Sequence, residues 1–140
     1  MCLNEEDYQQ HISSLSLQQW APLLDLIPII QNTKVFRYVV EDRSNTTSYW
    51  KHSEVVDRFL YIAYRIPVVI SFNWKAWDEG KAILKDENFD FNSVDIPTKC
   101  KLITTLLRKE RFWEGTLPNA FETGCVLKIL VSIRHQLYHQ

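Results

Sequence analysis

Residues 95–137 read DIPTKCKLITTLLRKERFWEGTLPNAFETGCVLKILVSIRHQL, and this stretch decides the fold. Asp95 followed by Pro97 is a helix start, because proline suits a first turn where its missing N–H has no partner to lose. From Pro97 to Arg111, Cys100, Ile103 and Leu107 form one apolar stripe, with Leu102 and Leu106 beside it. Gly115 punctuates, and a short helix follows over about Leu117–Thr123. Gly124 stands where a left-handed C-cap is expected. The final helix repeats Val126, Leu130, Ile133 and Leu137, spaced 4, 3 and 4, the period of an amphipathic helix. Three helices this short are not stable alone, so their brief connections imply mutual packing.

Working back toward the N-terminus, Ser16 caps a helix carrying Leu17, Trp20, Leu24 and Ile27. Pro28 is expected to end or kink it. Lys34–Val40 (KVFRYVV) is β-branched and aromatic and reads as a strand. Glu41–Thr47 is a turn or loop, and Ser48-Tyr49-Trp50 returns as the second arm of a hairpin. Ser53 is the next cap, placing Val56, Phe59, Leu60, Ala63 and Ile66 on one face, and Pro67 stops that helix. Val68–Ile70 is expected to be a short buried strand. Asn73 caps a helix on which Trp74 and Trp77 share a face, and Asp86–Asp95 is a loop anchored by two Phe. The fold class is therefore α+β: a mostly helical single domain, 1–140, with a small antiparallel sheet in the N-terminal half and a three-helix C-terminal part.

Composition supports one core. In 140 residues the apolar fraction is 46%, with 5 Trp, 6 Tyr and 7 Phe. A chain this long buries roughly 70% of the surface it exposes when unfolded. Net charge is −1, which supplies no overall field toward nucleic acid or acidic lipid. The balance is uneven: from Pro97 onward seven Lys and Arg face three Glu, a local +4, leaving −5 in the first 96 residues. Phosphate contacts made by a DNA-binding protein number about 6–10. The cations of the last third point in different directions on their helices, so no specific nucleic acid binding is expected. An odd set of cysteines without short spacing (Cys2, Cys100, Cys125), no leader-like start and no long apolar run fit a cytoplasmic protein with no membrane partner.

The run Arg108–Leu130, RKERFWEGTLPNAFETGCVLKIL, resembles a bacterial family of small domains of unknown function. The resemblance rests on Arg111, Phe112, Glu114, Gly115, Ala120, Phe121, Glu122 and Gly124, with a second aromatic piece in Phe72, Trp74 and Trp77. It spans about Val68–Leu137 and implies no activity.

Candidate sites follow from residue type. Glu114 and Glu122 are the carboxylates among those signature residues, and an acid–base pair about 5–10 Å apart could hydrolyse a glycoside-like bond with Arg111 stabilising an anion. The structural alternative has Arg108 or Arg111 bridging to one of them. His135 and His139 stand four apart, half of a zinc site, without a second half of suitable spacing; no metal and no cofactor are expected. Cys100 lies on an apolar stripe, where a thiol acts as a small hydrophobe. Trp74 and Trp77 are candidates for a binding surface, since tryptophan is enriched at interaction hot spots. Gly-rich phosphate loops and nucleophile elbows are absent from the sequence. The leading reading is a non-catalytic protein-interaction or regulatory module, with an unknown protein partner or self-association. The alternative is a hydrolase-like enzyme using Glu114 and Glu122.

Overall fold

The computed structural model describes residues 5–41 and 48–139. Its elements are helices α1 (Glu5–Ser14), α2 (Leu17–Leu24) and α3 (Leu26–Gln31), strands β1 (Arg37–Glu41) and β2 (Ser48–His52), then α4 (Glu54–Arg65), α5 (Asp78–Lys85), α6 (Ile96–Glu110), α7 (Thr116–Glu122) and α8 (Cys125–Tyr138). Two short 3-10 helices, Trp74–Ala76 and Phe91–Ser93, flank α5. Most of the loop read at Glu41–Thr47, together with Cys2, lies outside the described residues.

The C-terminal helices stand where the sequence puts them. Asp95 accepts the Thr98 N–H at 2.9 Å and so caps α6, with Pro97 in the first turn. Gly115 (φ +97°) and Gly124 (φ +83°) are the left-handed residues that open α7 and α8. Only glycine adopts such angles without backbone strain. α6, α7 and α8 pack on one another.

What periodicity does not reveal is that α6 is buried on all sides at its centre. Every residue from Leu102 to Leu107 is inaccessible, including Thr104 and Thr105. The two threonines are tolerated because each hydroxyl donates to the carbonyl four residues back, Cys100 O and Lys101 O, at 2.9 Å. α1, α5, α7 and α8 all pack against α6, while α2 and α3 lie between α4 and α8.

Several elements differ from the sequence expectation. Ser16 caps α2 through a reciprocal capping box with Gln19, but the break comes at Asp25, before Pro28. The proline ring would clash with the carbonyl four residues upstream, so the chain turns first and Pro28 falls in the first turn of α3. Val68–Ile70 is not a strand, because no strand lies beside it. Instead the Ile70 N–H donates to Thr104 Oγ1 at 3.1 Å, and His11 Nε2 lies 3.1 Å from Pro67 O. Ser53 does open α4, yet its hydroxyl donates to Val35 O at 2.6 Å rather than capping the helix. Asn73 makes no cap either.

The sheet is a single antiparallel ladder pairing Arg37 with His52 and Val39 with Trp50. The strand begins at Arg37, three residues later than read, and Phe36 instead enters the core against Phe121, ring centroids 5.4 Å apart. The Ser53 N–H donates to Phe36 O at 2.9 Å, closing the base of the hairpin.

Candidate functional site

The residue that organises the surface is Glu110, at the end of the α6 stripe. One oxygen accepts the Gly115 N–H at 3.0 Å and stands 3.1 Å from His52 Nε2, and the other accepts the Leu117 N–H at 3.3 Å. Two otherwise unpaired amides at the start of α7 are thereby satisfied, and the last residue of β2 is fastened to α6. His52 Nδ1 is also 3.3 Å from Asp57 Oδ1 on α4. Arg37 completes the mount. Its guanidinium lies over the Trp50 ring at 4.3 Å and presses on Gly115, where an added Cβ would sit 2.5 Å from Nη1.

Above this mount the hairpin is bare on both faces. Tyr38, Val39, Tyr49 and Trp50 are 43–55% exposed. Neighbours alternate sides of a strand, so Val39 and Trp50 lie on one face, and Tyr38 and Tyr49 on the other.

Trp74 and Trp77 do not share a helix face. Trp74 opens the 3-10 turn and Trp77 follows it, leading into α5 in a conformation that is neither helical nor extended. Trp77 packs edge-on against Phe72 at 5.5 Å, beneath Lys101. It also rests so close to Gly80 that a Cβ there would meet the indole at 2.2 Å. Trp74 turns the other way, toward Phe112 at 6.1 Å, and Phe112 in turn meets Trp113 at 6.1 Å.

This second aromatic row borders a groove of about 890 Å³ between α5, α6 and α7. Leu84, Phe91, Leu106 and Ala120 are among its apolar lining residues. Five lysines line it as well, Lys75, Lys81, Lys85, Lys109 and Lys128, against the two acids Asp86 and Glu87. The lysines of residues 75–85 were not part of the basic surplus counted in the last third; the fold brings the two sets together.

Glu114, Glu122 and Arg111 are exposed, and none of them lines the groove. Among the described residues, neither Arg108 nor Arg111 forms an ion pair with Glu114 or Glu122. Arg108 lies over Tyr64 at 5.7 Å instead, so the expected bridge is not formed. Cys100 is fully buried, and its thiol is pushed up to about 12, by burial first. Cys125 lines the groove, and burial pushes its thiol up to about 11. His135 and His139 stack on each other at 4.4 Å. No group of three or more His, Cys, Asp or Glu suited to a metal forms among the described residues. No helix among them is long and apolar enough to cross a membrane.

Sequence reasoning missed Glu110, although a signal existed. It continues the Ile103, Leu106, Leu107 stripe, five residues before a glycine that starts a helix. Comparisons with curated proteins and with solved structures return no match. A family model matches residues 15–139, reaching back past Val68 to take in the hairpin. The chain therefore belongs to DUF6508, a family of unknown function.

Proposed function

We propose that the protein is a non-catalytic interaction module that self-associates through the free edge of β1. The observation that carries this reading is the hairpin: four large apolar side chains exposed on two faces of a two-stranded ladder, held rigidly at its base by Glu110. A two-stranded sheet alone is marginal in water, and an exposed strand edge is a template for further pairing.

The edge is self-complementary. Phe36 directs its carbonyl to Ser53, toward β2. Alternation along the strand then points the backbone groups of Arg37, Val39 and Glu41 away from β2, to the free side. A second copy laid antiparallel across Val39 sets Arg37 opposite Glu41 of that copy, twice, with the valines meeting on the two-fold axis. The result is a four-stranded sheet whose faces continue the Val39–Trp50 and Tyr38–Tyr49 rows. Opposite charges directly across a ladder are favourable and like charges are not.

The hydrolase reading has less support, because Glu114 and Glu122 are exposed and unpaired with either arginine, and the groove they would need is lined by other residues.

The test is sedimentation equilibrium of wild type and Val39→Lys. Wild type is expected to reach a dimer reversibly over the micromolar range. Val39→Lys puts two ammonium groups face to face at the axis and is expected to stay monomeric, with the melting temperature of dilute, monomeric wild type, since Val39 is half exposed. A wild-type protein that stays monomeric throughout, or a Val39→Lys protein that dimerises equally well, refutes the proposal.

A further inference from the structure

We infer that the groove between α5, α6 and α7 is a binding site for a small polyanion carrying a planar ring, the chemistry of a nucleoside polyphosphate. This site is separate from the hairpin edge and does not depend on self-association.

Charge is the first argument. The chain as a whole carries −1, yet five lysines and only two acids line this cavity. Those acids form no ion pair with the lysines among the described residues. Asp86 Oδ1 accepts the Asn88 N–H at 3.0 Å in a local turn, and Glu87 engages Lys128 only through its backbone carbonyl, at 3.2 Å. Lys81 alone has a carboxylate within reach, Asp78 at 3.7 Å, on the exposed side of α5. Lys75, Lys85, Lys109 and Lys128 have no carboxylate partner within 4.0 Å among the described residues. Lysines gathered this way repel one another, and an anion with several charges relieves that repulsion.

Shape and ring chemistry narrow the class. About 890 Å³ lies within the usual range of small-molecule sites, too large for a lone phosphate. Phe112 and Trp113 are 60% and 57% exposed, and Phe112 contacts both Trp113 and Trp74, so the three rings form one continuous aromatic edge. Lys75 lies 4.4 Å above Phe112 and Lys109 lies 5.8 Å from Trp113. Cation and π-face therefore stand together, as a stacked base next to its phosphates requires.

Polar groups complete the set. The hydroxyls of Thr116 and Thr123 donate to Trp113 O and Ala120 O and keep lone pairs for a ligand. The exposed Asn119 amide makes no hydrogen bond within the described residues and can both donate to and accept from a base edge.

Isothermal titration with ATP, tripolyphosphate, adenosine and a short single-stranded oligonucleotide tests the assignment. ATP is expected to bind one per chain, tripolyphosphate about tenfold more weakly for lack of stacking, and adenosine not measurably. Trp113→Ala should weaken ATP about tenfold and leave tripolyphosphate unchanged. Lys85→Gln with Lys128→Gln should weaken both anions and flatten their salt dependence. All three side chains are exposed, so unchanged melting temperatures are expected as the control. The proposal is overturned by absence of saturable ATP binding, by adenosine binding as tightly as ATP, or by an ATP affinity indifferent to Trp113→Ala. An oligonucleotide bound more tightly than ATP also overturns it, in favour of a single-strand groove.

Discussion

Replacing Lys99 with methionine should change how stability depends on pH, with a size and sign set by the interior of α6. Lys99 is fully buried, and its ammonium donates to Gln136 Oε1 on α8. Burial lowers its pKa from 10.5 to about 8, opposed by the nearby charges of Asp95 and Asp90 and by Cys100. A shift of that size corresponds to about 3 kcal/mol. Between pH ~8 and ~10.5 the unfolded chain holds a proton that the folded chain has released, so this group makes stability rise with pH across that window. Below pH ~8 the cost of burying the ammonium is present in full. The thiols work in the opposite sense: Cys100 and Cys125, raised from 9.0 to about 12 and about 11, lose stability as pH rises. Both proteins keep those thiols, so the difference between them reports Lys99 together with its smaller mutual effect on Cys100. Lys99→Met leaves Gln136 Oε1 without its donor, a pH-independent offset, while Gln136 Nε2 still holds Val94 O at 3.1 Å. Urea unfolding followed by tryptophan fluorescence, repeated from neutral to alkaline pH, should show wild type gaining about 3 kcal/mol on the variant. A difference flat to within about 0.5 kcal/mol, well below the shift-derived value, refutes the buried-ammonium account.

Two further outcomes are expected. Glu110→Ala removes the acceptor for two α7 amides and the partner of His52, so chemical denaturation should show a loss of about 2–3 kcal/mol, with faster hydrogen exchange in β2; a loss no larger than that of Glu114→Ala contradicts the mounting role. A Cβ at Gly124 meets no atom within 4 Å, so Gly124→Val should cost chiefly backbone strain, about 1–2 kcal/mol, and an unchanged melting temperature would show that φ is not positive there.

The legible part of the fold is the part where local chemistry and tertiary position agree. Asp95, Gly115 and Gly124 each act through their own backbone, so α6, α7 and α8 could be placed from sequence. α1 escaped notice because, among its residues of described burial, Tyr8 and Ile12 alone enter the core, too few to register as a period. Burial all round α6 was hidden by Thr104 and Thr105, which look like surface residues until their hydroxyls are seen bonded back along the helix. Val68–Ile70 has the composition of a strand, but a strand is defined by its neighbour, and here the neighbour is a helix offering Thr104. The candidate site failed in the same way. Trp74 and Trp77 are separated by a turn that brings Gly80 beneath one indole, and the groove joins lysines about 25–50 residues apart that no local window could combine.

α7 links these features. Its amino end is held by Glu110, which also holds the hairpin through His52, while Thr116, Asn119, Ala120 and Thr123 along and just beyond it line the groove. Leu117, Pro118, Ala120 and Phe121 are buried, which packs the helix against α6 and α8. A packed element of this kind has few alternative positions. The run from Arg108 to Leu130 therefore owes its turns and buried positions to architecture: Gly115 and Gly124 set the ends of α7, and Phe121 receives Phe36 from the foot of β1. What that architecture presents is one rigid helix with a strand pair fastened at its start and a basic, aromatic-edged groove along its length. Val39, Trp113 and Lys85 at these two places are exposed side chains that the packing leaves free to vary. The half-buried Glu110 and the two glycines keep those surfaces in register.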